Sequence, residues 1–158
     1  MLHTATVRWQ RDDAVFSDRR YSRAHVWSFD GGIEVKASAS PLIVRAPLSD
    51  PNAVDPEEAF VASVSSCHML FFLDYAAQAN FVVDSYEDTA TGTMGQNETG
   101  KDFVAHILLA PQVRFSGPHQ PTPEEIAALH HRAHDDCFIA NSVKTNISVT
   151  PSLSRGSH

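Results

Sequence analysis

Over the first forty positions apolar and polar side chains tend to alternate, and a period of two predicts β-strands. Residues 4–10 (TATVRWQ) alternate imperfectly. Residues 23–29 (RAHVWSF) are richer in β formers and run into Asp30-Gly31-Gly32, a hairpin signal. Residues 33–39 (IEVKASA) alternate as a half-buried return strand should. The pattern then lapses, and Pro41, Pro47, Pro51 and Pro56 punctuate a long extended connection.

At Asp55 the signal changes to helix. Asp55 is a good N-cap, Pro56 suits the first helical position, and Glu57 and Glu58 fall in the first turn, where the dipole favours anions. Apolar residues follow on most faces as far as about Phe72, the pattern of a helix buried all round. A chain of this size seldom covers such a helix alone, so either a sheet wraps it or a second subunit does. Two strand patterns, residues 82–94 and 103–115, then flank the turn-rich GQNETGKD. Thr122, Pro123, Glu124 and Glu125 repeat the helix-start signal, and this second helix should run to about Cys137. Residues 146–152 close with a short strand. The order β-β-β-α-β-β-α-β lacks strict strand–helix alternation, which favours an α+β fold with a mostly antiparallel sheet over a doubly wound one. One domain is expected over residues 1–152, with 153–158 a frayed tail.

Charge narrows the partners. A formal charge of −7, with no clustered Lys/Arg run, argues against nucleic acid or an anionic membrane, because either calls for a basic patch. At 42% hydrophobic and 20% charged, the chain has the composition of an ordinary globular protein. Its most apolar stretch, residues 59–73, is shorter than a membrane span and carries Ser63, Ser65, Ser66 and His68. The N-terminus has neither an apolar h-region nor a cleavage site, and two cysteines do not make a disulfide framework. The expected compartment is the cytoplasm.

Candidate chemistry centres on those two cysteines. Cys67 lies mid-helix in VASVSSCHMLFFLDYAAQ, and Cys137 lies near the end of the second helix. Neither belongs to a C-x-x-C pair, so a thioredoxin-like motif is absent. Free cysteine is often simply core, and the two form a redox couple only if their helices pack together. A second constellation competes for Cys137. His130, His134 and Cys137 fall at i, i+4 and i+7 on one helix face, a zinc-like donor set. It lacks a clear fourth ligand and the usual paired spacing, and histidines near a helix C-terminus also complement the dipole. A metal site is not expected.

The stretches VDPEEAFVASVSSCHMLFFL and CFIANSVKTNISV, with the N-terminal strands and the middle hairpin, resemble the OsmC/Ohr family of thiol-dependent hydroperoxide reductases. The resemblance covers nearly the whole chain. It implies an OsmC-like fold, mostly antiparallel sheets with two long helices and the cysteine-bearing one central, in an intertwined homodimer. By the same resemblance, Cys67 matches the peroxide-attacking cysteine, Cys137 the resolving cysteine and Glu57 the glutamate of a Pro-Glu element. The nearest match to the family's active-site arginine is Arg23 in YSRAHVWSFDGG, with Arg20 as the alternate, because the flanking glycines are missing here. Phe138 stands where the hydroperoxide-resistance branch has proline. The implied reaction turns organic hydroperoxides into alcohols through a Cys67 sulfenic acid and a Cys67–Cys137 disulfide. The implied reductant is an external dithiol, with a lipoyl-bearing protein one candidate, since no flavin or nicotinamide fingerprint points to a cofactor. Phe60, Met69, Phe71 and Phe138 would wall a pocket for a fatty or aromatic peroxide. The alternative is an OsmC-like binding domain for an apolar ligand, its thiols incidental.

Helix geometry adds a constraint. Glu57 and Cys67 stand ten residues apart on one predicted helix, a rise of about 15 Å with side chains about 80° apart. One arginine fork spans far less. A dimer whose partner supplies Glu57 removes the difficulty and also accounts for the apolar helix.

Overall fold

A computed structural model describes residues 1–152; the expected tail, 153–158, lies outside the described residues. The chain forms two compact units, Met1–Ala59 and Phe60–His158. In the first, β1 (Ala5–Arg8), β2 (His25–Phe29) and β3 (Glu34–Ala37) make an antiparallel meander in that order. Trp27 sits at its centre, opposite Val7 on one side and Val35 on the other. The turn after β2 needs Gly32, which donates to the Phe29 carbonyl (3.0 Å) at φ 86°, a conformation costly for any residue with a Cβ.

These strands are shorter than the alternation suggests. Residues 9–24 leave the sheet for a loop braced by aromatic contacts, Phe16 stacking on Tyr21 with centroids 4.8 Å apart and Trp9 meeting Tyr21 edge-on at 5.4 Å. Arg23 therefore precedes β2 instead of opening it. The proline-rich connection is tied down locally, the Asp50 amide donating to Ser38 Oγ (2.9 Å).

Helix α1 (Pro56–Gln78) starts at the expected cap. The Glu58 amide donates to Asp55 Oδ1 (2.8 Å), and the Asp55 amide to Glu58 Oε2 (3.2 Å), a reciprocal box that leaves Glu57 free for other work. The helix runs on past Phe72, and by length and composition it is apolar enough to cross a membrane. Burial all round, however, does not occur within one chain. Val64, His68, Phe72, Tyr75 and Ala76 are buried, whereas Leu70 is 61% exposed.

The second unit continues with β4 (Val82–Glu87), β5 (Thr91–Gln96), β6 (Asp102–Leu109), β7 (Gln112–Ser116), α2 (Pro123–Asp136), a 3-10 turn (Ala140–Ser142) and β8 (Asn146–Val149). Each of the two long strand patterns breaks in two. The result is a bent hairpin: β4 pairs with β7, β5 with β6, and Asp88 sits in the bend, its Oδ1 accepting from the Ala110 amide (2.8 Å). β8 adds to β6 in parallel, while every other pairing of named strands is antiparallel. The fold is α+β, with two long helices and mostly antiparallel sheets.

Two cores flank α1. Its first half packs Val64 against Ile107 and Leu109. There a Cβ on Gly92 would fall 2.6 Å from Val61 Cγ2, so only glycine lets β5 approach the helix. Its second half packs Phe72, Tyr75 and Ala76 with Phe81, Val113, Leu129 and Ala133. α2 begins at a second capping box, the Glu125 amide donating to Thr122 Oγ1 (3.2 Å) and the Thr122 amide to Glu125 Oε2 (2.8 Å).

Candidate active site

Side chains four apart on a helix share a row, and two neighbouring rows of α1 meet α2. The first is Cys67, Phe71 and Tyr75. Cys67 and Cys137 are neighbours close enough for the one thiol to raise the other, Phe71 meets Phe138 edge-on with centroids 5.0 Å apart, and the Tyr75 hydroxyl donates to Asp136. The second row is Val64, His68, Phe72 and Ala76. His68 Nε2 lies 3.0 Å from His130 Nδ1, and Phe72 stacks on His130 at 4.2 Å. The two helices therefore meet, and two free cysteines stand close together where they do.

Cys137 caps the C-terminus of α2 with extended backbone, and the residues after it form a clasp. The Ala140 amide donates to Cys137 Sγ (3.4 Å). Asn141 Nδ2 donates to the Asp135 and Cys137 carbonyls (2.8 and 2.9 Å), and Ser142 Oγ to the Phe138 carbonyl (2.7 Å). CFIANS is thus a structural unit that seals Cys137, 1% exposed, and leaves Phe138 69% exposed. Burial pushes the Cys137 thiol up to about 11, the neighbouring Cys67 thiol adds to the rise, and the Ala140 amide opposes it. Cys137 is protonated at neutral pH. Cys67 is half-buried, the less enclosed of the two cysteines.

Arg23 Nη1 donates to the Arg19 carbonyl (2.9 Å) and to that of Tyr21, with the guanidinium 3.8 Å above the Tyr21 ring. Among the described residues no ion pair joins it to Glu57, whose Oε2 is buried without a partner. Arg20 is exposed. Met69 is half-buried, and Phe60 packs against the Val64–Ile107–Leu109 core. The zinc-like face of α2 is taken apart, His130 turning to His68 and Cys137 to Cys67. Among the described residues no three His, Cys, Asp or Glu side chains group to hold a metal.

A family model described as OsmC-like protein matches residues 49–152, well over half the chain. The chain belongs to the OsmC-like family. Among solved structures it is similar to an OsmC-like protein of unknown function from Vibrio cholerae, at 51% identity and TM-score 0.94, over 96% of this chain and 99% of that one. Its fold is also that of an organic hydroperoxide resistance protein from Elizabethkingia anophelis (20% identity, TM-score 0.69, 96% and 94% covered). The organic hydroperoxide resistance protein OhrB of Bacillus subtilis shares it too (18%, TM-score 0.67, 96% and 97%). No curated protein matches.

A histidine pair, His68 and His130, also joins α1 to α2 in this OsmC-like protein, and the sequence does not announce it. His68 appears there only as a polar interruption of an apolar stretch, and His130 only as a metal donor. Neither signal says that the two meet, because they lie on different helices. Burial lowers both to about 4; His134 lowers His68 further while Asp88 opposes, and His68 lowers His130. Both are neutral at pH 7.

The sign of the resulting pH dependence is fixed. Imidazole titrates near 6.5 in the unfolded chain, so between there and about 4 the unfolded state binds more protons. Stability is intact above 6.5 and falls as the pH drops through this window. Urea titrations at pH 7 and pH 4.5 should show wild type losing on the order of 2–4 kcal/mol. A His68→Leu/His130→Leu variant should lose distinctly less of its own stability over the same interval; equal losses would assign the acid lability to other groups.

Proposed function

We propose that this OsmC-like protein is a thiol-dependent peroxidase that reduces organic hydroperoxides to alcohols. The observation that carries the reading is the closeness of a half-buried Cys67 and a buried, protonated Cys137 where α1 meets α2. Membership of a family with relatives in fold that are named for organic hydroperoxide resistance supports it. In the first step the Cys67 thiolate attacks the distal peroxide oxygen. The O–O bond breaks, the alkoxide takes a proton and leaves as alcohol, and Cys67 becomes a sulfenic acid. In the second, Cys137 attacks that sulfur, the S–O bond breaks, and water departs with the Cys137 proton as the disulfide forms. An external dithiol, lipoyl-bearing proteins among the candidates, reduces the disulfide and is itself oxidised.

A free thiol titrating near ~8.5 is mostly protonated at pH 7, and a neighbouring cation can bring it to ~3.5–7.5. We assign that role to Arg23, with Arg20 the alternate, and assign Glu57 to orient the guanidinium. Arg23 must then exchange its loop carbonyls for Glu57 and Cys67, a change we attribute to homodimer formation over the exposed face of α1. Phe71 and Phe138 present apolar surface near the cysteines, and we assign Phe60 and Met69 to the same pocket, which favours fatty or aromatic peroxides over hydrogen peroxide. A reaction that needs reduced thiols fits the cytoplasm.

Mixing the reduced protein with one equivalent of an organic hydroperoxide tests the reading. Two thiols per chain should disappear while one equivalent of alcohol forms. Thiols that survive undiminished, with the peroxide intact, would instead favour a binding domain for an apolar ligand.

A further inference from the structure

The histidine pair has no part in the two steps above, yet it joins the same two helices that carry the cysteines. His68 follows Cys67 on α1, and His130 stands two turns before Cys137 on the same face of α2. The imidazole planes lie within 6° of each other with centroids 5.3 Å apart. With nitrogens only 3.0 Å apart, the rings meet edge to edge in one plane, so a single N–H points along the facing lone pair. Both residues are nearly sealed from water, at 1% and 3% exposure. The outer nitrogens, His68 Nδ1 and His130 Nε2, are buried without partners. An apolar pair would fill the seam without that penalty. What an apolar pair would not supply is a directional contact that fixes one setting of α1 against α2.

We propose that the His68–His130 hydrogen bond is a positioning device for the resolving step, holding the helix crossing at which Cys137 Sγ meets Cys67. Its biological meaning rests on the peroxidase reading; its geometry does not. Disulfide closure needs the attacking sulfur in line behind the bond that breaks, and Cys137 sits on a helix end that α1 grips through this pair and through Tyr75–Asp136. Loosening the pair should therefore slow closure and leave the first attack by Cys67 alone.

A dithiobis(nitrobenzoate) disulfide reagent separates the two events without any peroxide. The Cys67 thiolate displaces one thionitrobenzoate and becomes a mixed disulfide. Cys137 then gives up its proton to solvent, attacks the Cys67 sulfur and displaces the second. In His130→Phe, which keeps an aromatic ring on Phe72 but deletes the hydrogen bond, the first release should match wild type. The second should slow about tenfold or more, since misplacement of about 1 Å can cost a hundredfold. His130→Gln, able to keep one bond to His68, should recover most of the lost rate, which a general loss of packing would not explain. His68→Leu tests the same contact from the other helix should His130→Phe fold poorly. A second release unchanged in the folded variants overturns the proposal, as does a wild-type chain that releases only one equivalent. If the variants slow closure but wild type consumes no peroxide, the positioning role stands and the peroxidase reading falls.

Discussion

Cys67→Ser is expected to bring peroxide consumption to background, whereas Cys137→Ser should complete one turnover and stop. The asymmetry comes from the two environments. Cys67 is the half-buried residue of the two, and a serine hydroxyl there stays protonated and cannot attack an O–O bond. Cys137 is sealed, with its thiol raised to about 11, so it is poorly suited to meet peroxide first. Without it, Cys67 sulfenic acid has no internal partner; dimedone should trap it stoichiometrically, and a second equivalent of peroxide should drive it to sulfinic acid. The fold should survive this change, because a serine oxygen at position 137 can still accept from the Ala140 amide that now donates to Sγ. Mass spectrometry of the dimedone-treated variants reads both results. Two variants that behave alike would end the distinction between an attacking and a resolving cysteine.

The parts of this molecule that the sequence makes legible are those governed by local chemistry. Asp55-Pro56 and Thr122-Pro123 announce helix starts because N-capping is decided within four residues, and both caps form where expected. The end of α1 is less legible, since Phe72 to Gln78 mixes apolar and polar residues whose fate depends on α2 and β7. The bend at Asp88 is invisible for the same reason. Nothing in the alternation of residues 82–94 reveals that Asp88 will accept from both Ser65 Oγ (2.5 Å) and the Ala110 amide (2.8 Å), contacts 23 and 22 positions away. The meeting of Cys67 with Cys137 could be named only through resemblance to a family, because spacing alone left the thiols as a redox couple or as two core residues. The His68–His130 pair, 62 positions apart, had no such guide.

Activity is expected to return when two inactive chains, Cys67→Ser and Glu57→Ala, are unfolded together and refolded as a mixture. Helix α1 runs without a break from Pro56 to Gln78. Its geometry sets Glu57 and Cys67 about 15 Å apart along the axis, too far for one guanidinium to touch both. Glu57 Oε2 is nonetheless buried without a partner, an arrangement that costs about 1–3 kcal/mol unless assembly supplies a donor. The same helix, although apolar in composition, has only 28% of its most apolar window buried inside the chain. A second copy laid on the exposed side of α1 would cover Leu70 and could bring Glu57 of one chain to the Cys67 of the other. In a two-fold pair each site would then draw on both chains. Random refolding makes half the dimers mixed, and each mixed dimer holds one site with both groups intact, so about a quarter of wild-type activity should reappear. Cross-linking or native mass spectrometry verifies that mixed dimers are present. Should they form and remain inactive, each chain builds its own site, and the arginine must reach Glu57 and Cys67 by a route that bends α1.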